Sequence, residues 1–398
     1  MSASAESSKG SIISTPIKAY GMLSIFLKRG DNDMSVYTHF WAKPDFDRTK
    51  PTLVYGFGSL ATWYLKRLLA EGLEVNAIFD VNPKYHDTTI AGIPVLPPDK
   101  IAEYDREFNV FIAITGYKYT LTKLFRDYGF TRIYNEYEPE LITIEHHIAN
   151  KAKYSAFIDA NAQRVEQARK LFTEPKSIEI FDAALDAWGN GNWERLEKYY
   201  QHAVVMPRDI FEASEHDVLA ECGAYEGGGV YMFIGETKNQ YDYIYAFEPG
   251  ELEYLIASRS FEHNNVLNLE LHRMAVCDID GTIRFSEDNS MQGACIIEDG
   301  GTEVPSTTLD TFFSRTDRAK PTLIRMDIEG AEISALRGAK GLIRDFKPNL
   351  AISSYHRLED YWEVPLTIAE LGCGNYDLFF RHYRSWFDTM CFARPKRR

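Results

Sequence analysis

With 398 residues the chain is long enough for two or three domains with real hydrophobic cores. Its 45% hydrophobic and 26% charged content is that of an ordinary globular protein, and a formal net charge of -14 disfavours non-specific binding to nucleic acid or anionic membranes. Five cysteines, Cys222, Cys277, Cys295, Cys373 and Cys391, show no CxxC spacing, so neither a disulfide framework nor a zinc site is indicated. No apolar run approaches the roughly 18 residues of a membrane span, and the N-terminus lacks the pattern of a signal peptide. The expected setting is the cytoplasm, with no membrane, nucleic-acid or metal partner.

Residues 1–49 read as an N-terminal segment, partly flexible at its Ser- and Ala-rich start. Residues 50–140 read as a small Rossmann-like α/β domain. PTLVYGFGSLATWYLKRLLAEG runs strand, glycine turn, helix, with Gly56, Gly58 and Ala61 in G-x-G-x-x-A positions. VNAIFD ends at Asp80, at the roughly 20-residue spacing expected of a ribose-binding acid. NVFIAIT, YTLTKLFRDYG and TRIYNEYE then read as strand, helix and short strand. GIPVLPPDK resembles the corresponding stretch of small Rossmann-like domains attached to sugar-modifying enzymes. Gly56, Gly58, Ala61 and Asp80 are thus a candidate second site for a nucleotide or sugar nucleotide, with a purely structural or dimerising role equally open.

Residues 141–216 read as a mostly helical linker, with amphipathic spacing in RVEQARKLF and IEIFDAALDAW and a break at GNGN. His146, His147 and His202 lie in no metal-ligand pattern.

Residues 217–398 read as a second, larger α/β domain. DVLAECG is a short buried strand ending at Glu221, followed by the glycine turn Gly223, Ala224, Tyr225, Glu226, Gly227 and an apolar stretch that opens a helix. A strand feeding a glycine turn and a helix N-terminus is how open α/β sheets hold nucleotides. Tyr225, however, stands where a dinucleotide fingerprint needs glycine, and Glu221 repels phosphate but attracts a cation. S-adenosylmethionine, with a sulfonium and an ammonium and no phosphate, satisfies both. YDYIYAFEP ends a second strand at Glu248 and Pro249, where an acid accepts ribose hydroxyls. The loop after the third strand, Met274 to Asp278 with Ala275 and Val276 at its centre, is placed to line adenine. LIRMD ends a further strand at Asp327, on the carboxyl edge where ligands bind in this architecture. Glu329 and Glu332, three apart, read as easily as a solvated helix start favoured by the dipole as a chemical pair. NLAISSYH ends at His356, and YDLFFRHYRSWFDTMCFARP reads as two strands joined by a turn, with His382 at the end of the first. An imidazole at either strand end has the pKa to take a proton from a hydroxyl.

ECGAYEGGG, IYAFEP, PSTTLDTFF, IRMDIEGAEISALRGAK, LAISSYHRLEDYWEVP and LFFRHYRSWFDTMCFA, in that order, resemble the FkbM-type methyltransferase family. The resemblance runs from about Asp217 to Pro395. It implies a class I methyltransferase sheet closed by an antiparallel hairpin, S-adenosylmethionine as cofactor, and O-methylation of a hydroxyl on a sugar, polysaccharide or polyketide-type acceptor. It departs at Glu221, where the family usually has Asp. In this reading Glu221, Gly223, Ala224, Tyr225 and Gly227 hold the methionine part, Glu248 and Pro249 the ribose, Ala275 and Val276 the adenine. Asp327 orients cofactor or substrate, and His356 or His382 is the base. Two rivals stay open: a non-catalytic nucleotide-binding or assembly protein with a degenerate methyltransferase fold, and an NAD-dependent sugar-modifying enzyme working through the N-terminal domain and Tyr117 or Tyr119. The acceptor and any homo-oligomer are left open.

Overall fold

The computed structural model describes residues 46–56, 65–66, 68–86, 88–113, 118–135, 144–286, 295–296, 302–383 and 388–396. In the N-terminal part, β1 (Thr52–Tyr55), β2 (Val75–Phe79), β3 (Thr88–Ile90), β4 (Ile93–Leu96), β5 (Asn109–Ile112) and β6 (Ile133–Asn135) form one sheet in the order β3-β4-β2-β1-β5-β6. Its pairings are parallel except that of β3 with β4. All four residues of β1 and of β5 are buried, as strands covered on both faces require. Leu121 and Phe125 of helix α1 (Lys118–Asp127) join β-strand residues in the core on one side.

Four helices follow, α2 (Ile144–Ala160), α3 (Ala162–Arg169), α4 (Pro175–Asn190) and α5 (Trp193–Glu197). Helix α4 starts with Pro at its first position, where the missing N–H costs nothing, and stops at Gly191, whose φ of +74° closes the end in the left-handed conformation. Its Ile180, Phe181, Ala183, Ala184 and Ala187 are buried in the same core as Phe380 and Leu378 of the following sheet. The helical content expected of this segment is present, but its packing is that of a core layer of the C-terminal domain, so the change of domain comes before residue 217.

That C-terminal sheet contains β7 (Val218–Cys222), β8 (Tyr243–Phe247), β9 (Leu269–His272), β14 (Leu323–Met326), β15 (Asn349–Ser353), β16 (Tyr376–His382) and β17 (Thr389–Pro395). The order is β16-β17-β15-β14-β7-β8-β9. Strands β7, β8, β9, β14 and β15 run parallel, and β17 is antiparallel to both β15 and β16. This is the mixed α/β architecture read from the sequence, closing hairpin included. Between β7 and β8 lies α6 (Gly228–Glu236), and between β8 and β9 α7 (Glu251–His263). A small side sheet orders β10 (Ala275–Val276), β13 (Thr302–Thr307), β11 (Gly281–Ser286) and β12 (Cys295–Ile296) as β10-β13-β11-β12. Helix α8 (Leu309–Phe312) follows with Thr308 as N-cap, its side chain accepting from the Thr311 N–H. Helices α9 (Glu332–Gly338), α10 (Lys340–Asp345) and α11 (Asp360–Leu371) complete the domain. No helix among the described residues is long and apolar enough to cross a membrane.

Candidate active site

The chain leaves β7 outward to β8 and β9, then returns to the other side of β7 as β14. That reversal opens a crevice at the carboxyl ends of β7 and β14, the place where open parallel sheets bind ligands. Gly223 and Gly227 adopt φ of +85° and +96°, and Tyr225 between them +48°. The tightness of this turn explains the glycines. A Cβ on Gly223 would sit 2.0 Å from the Asp327 carbonyl oxygen, and one on Gly227 2.7 Å from the Phe261 ring. Tyr225 projects its ring outward, 53% exposed, while its N–H donates to Glu248 Oε2 at 2.7 Å. The other Glu248 oxygen accepts from the Gly250 N–H at 2.9 Å, so this carboxylate ties the glycine turn to the end of β8.

Glu221 is 0% exposed. One of its oxygens accepts from Arg325, and the other accepts no hydrogen bond from the described residues. Burial pushes this acid up to about 7, with Arg325 opposing. Its oxygen would lie 1.9 Å from a Cβ on Gly229, so a glycine in the first turn of α6 makes room for the acid beneath the helix start. Glu221 and Arg325 are direct partners in the parallel register of β7 and β14, and Asp327 lies on the same face of the chain as Arg325, two residues on. Arg325 donates to Asp327 at 2.8 Å.

Asp327 also accepts from Ser353 at 2.8 Å and Tyr355 at 3.1 Å. Burial works to raise its pKa, but Arg325, His356 and these hydroxyls outweigh it and hold the carboxyl below its usual value. His356, its side chain 8% exposed, is surrounded by acids: Nδ1 is 3.0 Å from Glu332, and Nε2 is 3.5 Å from both Asp327 and Glu329. Burial opposes a charge on this ring, yet Glu332, Glu329 and Asp327 push its pKa up to about 10. The imidazole is therefore a held cation at neutral pH. Glu329 is the outward member of the group, its side chain 45% exposed and its φ of +55° one that non-glycine residues rarely adopt. Desolvation, against the pull of His356 and with the push of Asp327 and Glu332, raises Glu329 to about 7. Glu332 is instead sealed, accepting from the Ile328 N–H at 2.8 Å. Neither expectation for these two glutamates, a solvated helix start or a chemical pair, describes them alone: Glu329 is exposed, Glu332 is sealed, and with Asp327 they form an arc of acids around a histidine.

His382 is placed differently from the expected rim. It is 1% exposed, 3.2 Å from the Thr389 hydroxyl, and burial drives its pKa down to about 3. The structure gives this neutral imidazole packing and no face on the crevice. Ala275 and Val276 are buried in β10, paired with Ser306 and Thr307, and Pro249 lies in the turn that Glu248 holds. In the N-terminal domain Gly56 has φ of +100° just after β1, and Asp80 directly follows β2; Gly58, Ala61 and Tyr117 lie outside the described residues, as does the side chain of Tyr119. Arg325, Ser353 and Tyr355 join the site without a sequence motif that marks them. A cation two residues before an acid in the otherwise apolar strand LIRMD was the available signal for Arg325.

Residues 221–387 match the family model described as the methyltransferase FkbM domain. The C-terminal part of the chain is a methyltransferase FkbM domain. The matched stretch begins at Glu221 and takes in the glycine turn, Glu248, the Asp327 cluster and His356. The crystal structure of methyltransferase FkbM from Methylobacillus flagellatus KT aligns over 86% of this chain and 90% of its own, at 20% identity and a TM-score of 0.56, and so shares the fold. An rRNA methylase from Streptococcus thermophilus aligns over 46% of this chain and 90% of its own at 12% identity and TM-score 0.31. SMU.1697c from Streptococcus mutans, solved in complex with SAH, aligns over 47% and 92% at 11% identity and TM-score 0.30. No curated protein matches. The match at residues 221–387 supports a methyltransferase.

Proposed function

We propose that this methyltransferase transfers the methyl group of S-adenosylmethionine to a hydroxyl oxygen of a small-molecule or saccharide acceptor. The observation that carries the reading is the chemistry of the switch-point crevice. Acids gather at its strand ends, Glu221 and Glu248 buried and Asp327 and Glu329 more open, and Tyr225 stands in the turn where a dinucleotide fingerprint has glycine. A ligand with cationic sulfonium and ammonium groups and no phosphate fits that lining, and the second oxygen of Glu221 accepts from no donor among the described residues.

The cofactor supplies an electrophilic methyl group. Gly223, Ala224, Tyr225 and Gly227 would hold its methionine part, with Glu221 beneath them; Glu248 and Pro249 would hold its ribose, and Ala275 and Val276 would flank its adenine. For the chain's own residues, the work is to place an acceptor oxygen in line and to remove its proton. The geometry favours Glu329 over the histidines as proton acceptor, because its side chain is half-exposed where both imidazoles are buried, and it ionises near neutral pH. His356, already protonated, positions Glu329 and Asp327. A second ligand, a nucleotide or sugar nucleotide, belongs to this reading at the N-terminal domain, supported by the left-handed Gly56 beside Asp80.

Calorimetric titration with S-adenosylhomocysteine tests the cofactor. Micromolar binding that weakens at least tenfold in Glu248→Ala is the expected result, and absence of binding by the unaltered protein would overturn the reading.

A further inference from the structure

An open groove of about 530 Å³ lies between helix α2 and the turn that follows His356. Lys153, Tyr154 and Phe157 line it from the helix, and Arg357, Leu358 and Glu359 from the turn. Tyr154 is part-exposed and Phe157 41% exposed, so the groove presents two aromatic faces to solvent. Neither Lys153 nor Arg357 forms an ion pair among the described residues, which is unusual in a chain with 58 acidic residues to 44 basic ones.

Arg357 is also held in place. Its N–H donates to Asp360 at 2.8 Å, which fixes the turn. Its guanidinium lies across Gly330, close enough that a Cβ there would come within 3.1 Å of Nε, so the missing side chain at residue 330 makes room for it. Gly330 adjoins Glu329 in sequence, and Arg357 adjoins His356. The cationic end of the groove and the acid cluster at the crevice are therefore built from the same two turns. A planar guanidinium suits carboxylate and phosphate oxygens, a lysine adds a second positive charge, and aromatic faces suit the C–H face of a sugar ring. Glu359 on the rim is an acceptor for hydroxyls and disfavours a second anion.

We propose that this groove is the acceptor subsite and that it takes an acidic saccharide, with its carboxylate or phosphate on Arg357 and Lys153 and its ring against Tyr154 and Phe157. The inference rests on the reading of the crevice as a methyl-transfer site, and names the substrate class that site would serve.

Saturation-transfer NMR on the full-length protein, with S-adenosylhomocysteine present, would use glucuronate, glucose 6-phosphate and neutral glucose as probes. Glucuronate or glucose 6-phosphate should bind at least tenfold more tightly than glucose, and whichever binds identifies the anion. The preference should vanish in Arg357→Ala/Lys153→Ala, and ring contact should fall in Phe157→Ala, with S-adenosylhomocysteine affinity unchanged in both. Equal binding of all three probes, no binding of any, or an anion preference that survives the double substitution would overturn the proposal. S-adenosylhomocysteine is titrated in the same samples, so loss of its binding marks failure of the cofactor reading separately.

Discussion

Glu329 and His356 face one another at 3.5 Å, and although both pKa values are raised, Glu329 to about 7 and His356 to about 10, the acid is thereby drawn towards its neutral form and the imidazole towards its cation, which assigns them different work. A carboxylate that ionises at about 7 can accept a proton only above that pH. Turnover should therefore rise with pH through about 7 and level off, and Glu329→Gln should lower it by about a hundredfold while leaving S-adenosylhomocysteine affinity within a factor of two to three. A pH–rate profile that keeps its rising limb in Glu329→Gln would remove Glu329 as the proton acceptor. His356 gives a stability test. Its pKa is raised in the folded protein from 6.5 to about 10, so its contribution is fully present below about pH 6.5 and is lost as pH rises through 10. Urea unfolding of the unaltered protein and His356→Gln should differ most near pH 6, with the gap closing by pH 10.

At the scale of elements, the joint between helix α4 and strand β16 depends on one buried cation. Arg381 is 0% exposed; its guanidinium donates to Glu174 at 2.7 and 3.0 Å and to Asp209 at 2.7 Å, and the Ser177 hydroxyl accepts from the Phe380 N–H at 3.0 Å. Glu174 precedes the first turn of α4, so this cluster fixes where the helix meets the sheet. Arg381→Met should cost about 2 kcal/mol or more, because it strands two carboxylates beside an apolar face. Arg381→Met/Glu174→Gln should recover part of the loss in denaturant unfolding. An equal or larger loss in the double variant would mean that Arg381 acts by packing.

For the whole molecule, the core decides which truncations fold. Ala168, Phe172, Ile180, Phe181, Ala184, Trp193 and Leu196 share one buried cluster with Tyr361, Trp362, Leu378 and Phe380. A fragment beginning at residue 217 would expose the partner face of that cluster to water. It should be insoluble or lack a cooperative unfolding transition, whereas one beginning at residue 144 should unfold cooperatively. The S-adenosylhomocysteine-dependent rise in Tm should follow the same division, since a ligand stabilises only a state that binds it. A cooperatively folded fragment 217–398 would show that the helices are an addition to the domain.

Much of this architecture was legible because it is written locally. Buried parallel strands appear as short apolar runs such as DVLAEC, YIYAF and LAIS, the glycine turn as ECGAYEG, and the closing hairpin as two apolar stretches joined by a polar turn. From these the mixed α/β fold and the FkbM resemblance followed, together with the placing of Glu221, Glu248, Asp327 and His356 at strand ends. Tertiary structure decided what those strand ends do. The register of β7 against β14 sets Arg325 between Glu221 and Asp327, and the folding of two turns towards each other surrounds His356 with acids. The pairing of β16 with β17 seals His382, and the docking of α4 turns an apparent linker into a core layer. Periodicity reports which residues are apolar and on which face, but a side chain's partners, and hence its charge, depend on elements far apart in sequence whose approach only packing determines.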